Sequence, residues 1–137
     1  MKNKCCIQMC IWLTMLASVA CTSHPQSFEN PVIRKDVPDP TVFRVGENYY
    51  LVGTSGNAPQ VYPIFHSKDL VNWDSAGHIF DKWPEWTSGS FWAPEIFVHN
   101  NTYYCYYTAR DKSDGISCIG VATAQSPTGP YQDLGPL

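Results

Sequence analysis

The chain repeats itself, and this internal repeat restricts the fold more than any other feature of the sequence. Two pairs of segments align at one common offset of 54 residues, namely 39–43 with 93–97 and 49–50 with 103–104. Farther on, Trp73 and Gly77 match Tyr131 and Gly135, where the offset has grown to 58. A repeat of this length that consists of short strands is typical of one blade of a β-propeller. A propeller closes with about four to eight blades, and two are present, so we expect this sequence to be a fragment.

The composition favours strands and turns over helices. Aromatic residues make up 14% of the chain and charged residues 15%, and there are 11 Pro and 9 Gly. Aromatic residues favour strands, whereas Pro and Gly favour tight turns. The hydrophobic pattern predicts strands at 41–45, 49–54, 61–67, 94–99, 102–109 and 116–125, and a further one between residues 73 and 80. We therefore predict an all-β fold.

The first residues have the order of an export signal. Lys2 and Lys4 precede an apolar run at residues 5–20, which is shorter than the about 20 residues that a membrane-spanning helix needs. Small residues end this run just before Cys21, in a pattern that resembles the cleavage box of bacterial lipoproteins. We expect a signal peptide at 1–20, lipidation of Cys21, a tether at 21–30 and the mature propeller part at 31–137. Ordinary signal cleavage and a spanning anchor are the alternatives.

The charge distribution restricts the partners. The net charge of −3 comes without any run of Lys or Arg, so neither nucleic acid nor an anionic membrane surface is an expected partner. A neutral, polar ligand fits better. The expected lipid on Cys21 is then the sole expected contact with a membrane. Together with the export signal, it predicts a protein in the periplasm or at the outer membrane of a Gram-negative bacterium.

Two of the six cysteines, Cys105 and Cys118, remain once the signal segment and Cys21 are set aside. They fall on two strands that we expect to form one hairpin, where a disulfide is possible in an oxidising compartment. Neighbouring strands seldom offer disulfide geometry, so we favour two small buried thiols over a bridge. Neither these cysteines nor the four His have zinc-ligand spacing, and we expect no metal and no other cofactor.

Five short motifs follow one another at the spacing of the blades. They are Val-Pro-Asp-Pro-Thr-Val at 37–42, Asn-Tyr-Tyr-Leu at 48–51, Phe-His-Ser-Lys-Asp-Leu-Val-Asn-Trp at 65–73, Phe-Trp-Ala-Pro-Glu-Ile at 91–96 and Ser-Pro-Thr-Gly-Pro-Tyr at 126–131. Together they resemble the opening of glycoside hydrolase family 43. The resemblance implies a five-bladed β-propeller that hydrolyses arabinose- or xylose-containing plant polysaccharides with inversion of configuration. We expect a monomer that binds a carbohydrate substrate.

The resemblance also assigns a role to Asp39, because the Asp of the first Asp-Pro motif is the general base of that family. The other two functional carboxylates of the family, the general acid Glu and an Asp that tunes its pKa, belong to later blades and are expected beyond Leu137. An inverting glycosidase needs a base and an acid about 6.5–9.5 Å apart, so we expect the fragment by itself to be inactive. Asp39 between two prolines is also a plausible turn residue. However, the second repeat has Ala93 at this place, which favours function.

Two residues of the second repeat are candidates for binding substrate. Trp92 is expected near the propeller axis beside Asp39, where an indole face can pack on a sugar ring, although it is also a plausible core aromatic. Glu95 aligns with Thr41, and we expect it to line the site without being the missing acid. A propeller that binds carbohydrate without cutting it is the alternative function, and a five-bladed glycosidase that retains configuration is another.

Overall fold

The computed structural model describes residues 27–137 and contains two four-stranded antiparallel sheets. Sheet 1 consists of β1 (Thr41–Val45), β2 (Asn48–Val52), β3 (Val61–Ser67) and β4 (Asp74–Phe80), and sheet 2 of β5 (Trp92–His99), β6 (Thr102–Arg110), β7 (Ser117–Ala124) and β8 (Gln132–Pro136). In both sheets the strands lie side by side in chain order. The all-β prediction is confirmed. The predicted signal peptide, Cys21 and most of the tether lie outside the described residues.

Aligned positions of the two sheets include residues with positive φ. Gly77 and Gly135, which the sequence aligns at the larger offset, both have positive φ, at 119° and 89°. The turn between β5 and β6 consists of Asn100 and Asn101 with φ of 47° and 60°, which is the geometry of a tight hairpin turn with two left-handed residues. The two sheets therefore correspond at the glycine of their fourth strands, whereas their first hairpin turns differ, because between β1 and β2 only Gly46 has positive φ, at 60°.

The loop before β4 is stabilised by hydrogen bonds that form within the loop. The Asp69 carboxylate accepts hydrogen bonds from the backbone N–H groups of Val71 and Asn72 at 2.9 and 2.7 Å, and from the Asn72 side chain at 2.8 Å. These bonds, led by the Asn72 backbone N–H, lower the pKa of Asp69. Asp69 and Asn72 thus stabilise this loop.

The two sheets pack on each other through an aromatic core. Tyr62, Phe91 and Tyr107 are its largest fully buried members, and the Tyr62 ring meets the Phe91 ring edge-on at 5.9 Å between centroids. The Tyr62 hydroxyl donates a 2.9 Å hydrogen bond to the Thr108 carbonyl of sheet 2. Burial raises the pKa of Tyr62 far above its usual value, so this hydroxyl stays a neutral donor.

One face of sheet 2 remains exposed, and its composition follows from the repeat. Sheet 1 packs on sheet 2 with residues from all four of its strands, among them Phe43, Val52, Tyr62 and Ala76. The alignment and the strand registers give their equivalents in sheet 2, which are Phe97, Tyr106, Ile119 and Leu134. These four side chains, which we call the outer stripe, are 55%, 36%, 48% and 57% exposed. Sheet 2 thus presents to solvent the face that sheet 1 buries.

The outer face of sheet 1 is covered by the chain itself. Leu51 and Phe65 on this face are 7% and 4% exposed. Residues of the preceding segment lie near them, with the Lys35 ammonium 5.6 Å from the Phe65 ring centroid and with Val32 and Val37 lining the same cavity as Leu51. The two sheets therefore differ in what covers their outer faces.

Cys105 and Cys118 are both free thiols. Cys105 lies opposite Ala122, whereas Cys118 lies opposite Ala109, so they stand four ladder positions, or about 13 Å, apart along the β6–β7 hairpin. A disulfide needs Cα atoms within about 7 Å. The preference for two thiols is confirmed, but the prediction that both are buried is wrong for Cys118, which is partly exposed.

Candidate active site

Asp39 lies at the end of the molecule where β1 and β5 begin and β2 ends. It precedes β1, its side chain is exposed, and its φ is 47°. Ala93, the equivalent residue of the second repeat, has nearly the same φ of 45°. Left-handed backbone is easier for Asp than for Ala. Because Ala93 adopts it as well, this turn of the blade does not require a carboxylate, and the one at Asp39 is free for another role.

Thr54 contacts Asp39 directly, and the sequence did not point to it. Its hydroxyl donates a 2.9 Å hydrogen bond to Asp39 Oδ2, and Thr54 Oγ1 itself accepts a 2.7 Å hydrogen bond from the Ala93 backbone N–H. The Thr54 backbone N–H in turn donates to the Pro38 carbonyl at 2.8 Å. A single side chain therefore connects the turn before β1 to the start of β5. The aligned Thr108 was the available signal, because the repeat has Thr at both places.

A break in the β5 ladder leaves the Ala93 N–H free for Thr54. Trp92 pairs with Thr108 and Glu95 pairs with Tyr106, and the register shifts between these two pairs. Ala93 and Pro94 form the bulge, and a proline has no N–H to donate. In the strand predictions β5 begins at Pro94, but in the structure it begins at Trp92, beyond the bulge.

The end of β2 also differs from the prediction, for a related reason. β2 ends at Val52 rather than at Thr54, because Gly53 and Thr54 turn toward the segment before β1. A Cβ on Gly53 would lie 2.3 Å from Val37 Cγ1 and 3.2 Å from the Pro38 carbonyl oxygen. Only glycine permits this close approach, which brings Thr54 up to Asp39.

Trp92 and Glu95 lie on opposite sides of the bulge. The Trp92 side chain is 49% exposed and belongs to the residue next to Ala93, so it is adjacent to the hydrogen bonds that lead to Asp39. Glu95 is exposed, and its neighbour Ile96 points into the core between the sheets, so Glu95 faces away from sheet 1. The structure brings Trp92 to the surroundings of Asp39 and directs Glu95 toward the outer stripe.

Trp83 and Trp86 lie in the linker between the sheets and stabilise it. Trp86 Nε1 donates to Asp133 at 3.1 Å, and the Tyr107 hydroxyl donates to the same carboxylate at 2.5 Å. Trp83 donates to the Ala58 carbonyl at 2.8 Å and packs edge-on against Phe91. These rings are used in packing and hydrogen bonding, although Trp83 keeps one exposed side.

Residues 27–137 bring together no group of three or more His, Cys, Asp or Glu side chains suited to hold a metal ion. They also contain no helix with the length and hydropathy needed to cross a bilayer. The local chemistry is that of one solvent-facing carboxylate, fixed through one oxygen, beside a half-exposed indole. Such a group can accept a proton from water, and the indole can pack on a sugar ring.

Known proteins are similar to this chain in sequence and in fold. The chain is 32% identical over 141 residues to a non-reducing end α-L-arabinofuranosidase of Bacteroides ovatus, covering 97% of this chain and 26% of that protein. It is 31% identical over 140 residues to an extracellular exo-α-(1→5)-L-arabinofuranosidase of Cellvibrio japonicus, covering 90% and 37%. The crystal structure of a thermostable family-43 glycoside hydrolase matches with a TM-score of 0.72 and 34% identity, covering 80% of this chain and 36% of that one.

The chain therefore spans about a quarter to somewhat more than a third of the length of these relatives. The structures that it matches are five-bladed propellers, and its two sheets are similar to part of them. Residues 28–137 match the family described as Glycosyl hydrolases family 43. The resemblance carried by the five sequence motifs is thus confirmed, and the chain belongs to glycosyl hydrolases family 43.

Proposed function

We propose that these residues form the first two blades of an inverting glycoside hydrolase that acts on arabinose- or xylose-containing plant polysaccharides or oligosaccharides. Asp39 is the general base. The observation that carries this proposal is the exposed carboxylate of Asp39, fixed by Thr54 at a turn where the other blade has Ala93. Relatives named as arabinofuranosidases, an arabinanase and xylosidases support the substrate class.

In the proposed reaction, water attacks the anomeric carbon while Asp39 takes one of its protons. The glycosidic C–O bond breaks, and the leaving oxygen takes a proton from a carboxylic acid supplied by another blade. Trp92 offers its exposed indole face to the sugar ring bound beside Asp39. Glu95 lies on the side of the outer stripe, opposite Tyr106, so we assign it no contact with the sugar. The propeller acts as a monomer.

The outer stripe supports a requirement for further blades. Its four side chains are the equivalents of those by which sheet 1 packs on sheet 2. A third blade packed on this stripe would bury the exposed Phe97 and Leu134 in the same way. The closed ring then places the base and the acid on the two sides of the glycosidic bond, so catalysis requires the complete propeller. Sequencing the gene beyond Leu137 tests this requirement directly.

The base assignment is tested by Asp39→Asn in the complete propeller. The substitution preserves shape and removes the basic oxygen, so kcat should fall by about 10²- to 10⁴-fold, with KM and melting temperature nearly unchanged. Asp36→Asn is the matched control, because Asp36 is also an exposed carboxylate in the same segment, and it should keep full activity. Azide should partly restore turnover of an activated substrate by Asp39→Ala.

Each other outcome has a distinct meaning. Near-normal kcat in Asp39→Asn would return Asp39 to a turn role. A first product with retained configuration, followed by NMR, would assign Asp39 to a nucleophile instead. Tight binding of arabino- or xylo-oligosaccharides without any hydrolysis by the wild-type propeller would favour the non-catalytic alternative.

We further propose that the protein is exported and anchored by lipid at Cys21. Relatives named as extracellular support export, and the small residues before Cys21 support lipidation. Cys21→Ser should release the protein from the membrane fraction and abolish incorporation of labelled palmitate. Unchanged membrane association of this variant would refute the anchor.

A further inference from the structure

We propose that Thr54 is a positioning residue for the base: its hydroxyl, oriented by the second blade, fixes one oxygen of Asp39 and leaves the other to take the proton of water. This proposal rests on the base role proposed for Asp39. It adds that the orientation of the base depends on contact between the two blades, because the group that orients the hydroxyl is the Ala93 N–H at the start of β5.

The direction of the two hydrogen bonds follows from their partners. A backbone N–H only donates, so the Thr54 oxygen must accept from Ala93 at 2.7 Å. The hydroxyl proton is then available for Asp39 Oδ2, which lies 2.9 Å away and accepts as a carboxylate. The hydroxyl cannot turn round to accept from Asp39 while the carboxylate is ionised, which is the state that a general base needs.

Thr54 itself has little freedom to move. It is 8% exposed, its backbone N–H is bonded to the Pro38 carbonyl at 2.8 Å, and its β-branched side chain is stiff about χ1. A hydrogen bond from a rigid donor to Oδ2 restricts rotation of the Asp39 carboxylate. Within residues 27–137, Oδ1 accepts no hydrogen bond and Asp39 as a residue is exposed, so Oδ1 is the oxygen available to water.

Comparison of the two blades distinguishes a positioning role of Thr54 from ordinary blade packing. Thr108 is the equivalent of Thr54, but the residue equivalent to Asp39 in its blade is Ala93. Both blades therefore have a threonine at this position. Of the two, only the first blade also has a carboxylate to which the threonine hydroxyl can donate. Thr108→Val is accordingly a matched control, which removes the same hydroxyl where there is no carboxylate to orient.

The experiment compares Thr54→Val, Thr54→Ser and Thr108→Val in the complete propeller, with melting temperature as the check on folding. Misplacement of a reacting group by about 1 Å costs up to about 10²-fold, so we expect Thr54→Val to lower kcat by about 10- to 100-fold with KM little changed. Thr54→Ser keeps the hydroxyl and should retain near-normal kcat. Thr108→Val should leave kcat unchanged.

A double-mutant cycle shows whether Thr54 acts through Asp39. In the Asp39→Asn background the carboxylate is gone, so adding Thr54→Val should lower kcat no further. Additive losses would overturn the proposal, as would near-normal kcat in Thr54→Val or equal losses in Thr54→Ser and Thr54→Val. If Thr54→Val does not fold, Thr54→Ala takes its place, and a crystal structure should show the Asp39 carboxylate rotated away.

The cycle also keeps the two proposals apart. Loss of activity in Asp39→Asn together with normal kcat in Thr54→Val would refute the positioning role and leave the base assignment intact. Normal kcat in Asp39→Asn would refute the base assignment, and a loss in Thr54→Val alone would then show that Thr54 does not act through Asp39.

Discussion

Replacing Tyr62 with Phe should weaken the packing between the two blades while leaving each blade intact. The Tyr62 ring is fully buried, and its hydroxyl donates to the Thr108 carbonyl of the other sheet at 2.9 Å. A neutral hydrogen bond contributes about 0.5–1.5 kcal/mol, and a carbonyl left without its donor in a buried place costs about 1–3 kcal/mol. Phe keeps the ring and its contacts, so we expect a loss of about 1 to 2 kcal/mol in the free energy of unfolding.

Urea unfolding of the complete propeller, followed by tryptophan fluorescence and circular dichroism, measures this loss. The midpoint should fall at an unchanged m-value, because the surface exposed on unfolding stays the same. Tyr49→Phe is the matched control, since Tyr49 lies on β2 with its ring partly exposed beneath Arg44. Equal midpoints for the two variants would refute the reasoning, because they would mean that the hydrogen bond between the sheets contributes nothing.

Three further outcomes are expected. Gly53→Ala should lower kcat of the complete propeller by about 10- to 100-fold, because the new Cβ displaces Val37 and with it the segment that carries the proposed base, Asp39. Unchanged kcat and melting temperature would contradict this. Burial raises the pKa of Tyr107, so the unfolded chain loses the hydroxyl proton first and the free energy of unfolding should fall as the pH rises above about 10. Tyr107→Phe should make this fall less steep in urea titrations at pH 9 to 11. An equal dependence of the free energy of unfolding on pH in both proteins would count against it. The 137-residue chain by itself should associate through the outer stripe, and Phe97→Ser should reduce association in sedimentation while Phe28→Ser, equally exposed but outside the stripe, should not; a monomeric wild-type chain would contradict it.

Much of the fold was predictable because its signals are local. The strands β1 and β3 have the predicted bounds, since alternating side chains and turn residues act over a few positions. The aligned glycines Gly77 and Gly135 both have positive φ, which agrees with the alignment of the repeat. The exposed face of sheet 2 is also implicit in the sequence, because the repeat predicts the same packing face on both blades and only one of the two can be covered by the other.

The sequence by itself determined the blade repeat, the family and the difference between Asp39 and Ala93 at equivalent turns. Tertiary structure decided what holds the carboxylate in place. Thr54 lies 15 residues from Asp39 and 39 residues from Ala93, and no periodicity connects positions so far apart. The three meet because Gly53 allows a close approach to the segment before β1 and because the bulge in β5 frees an N–H, two features that exist only in the folded blades.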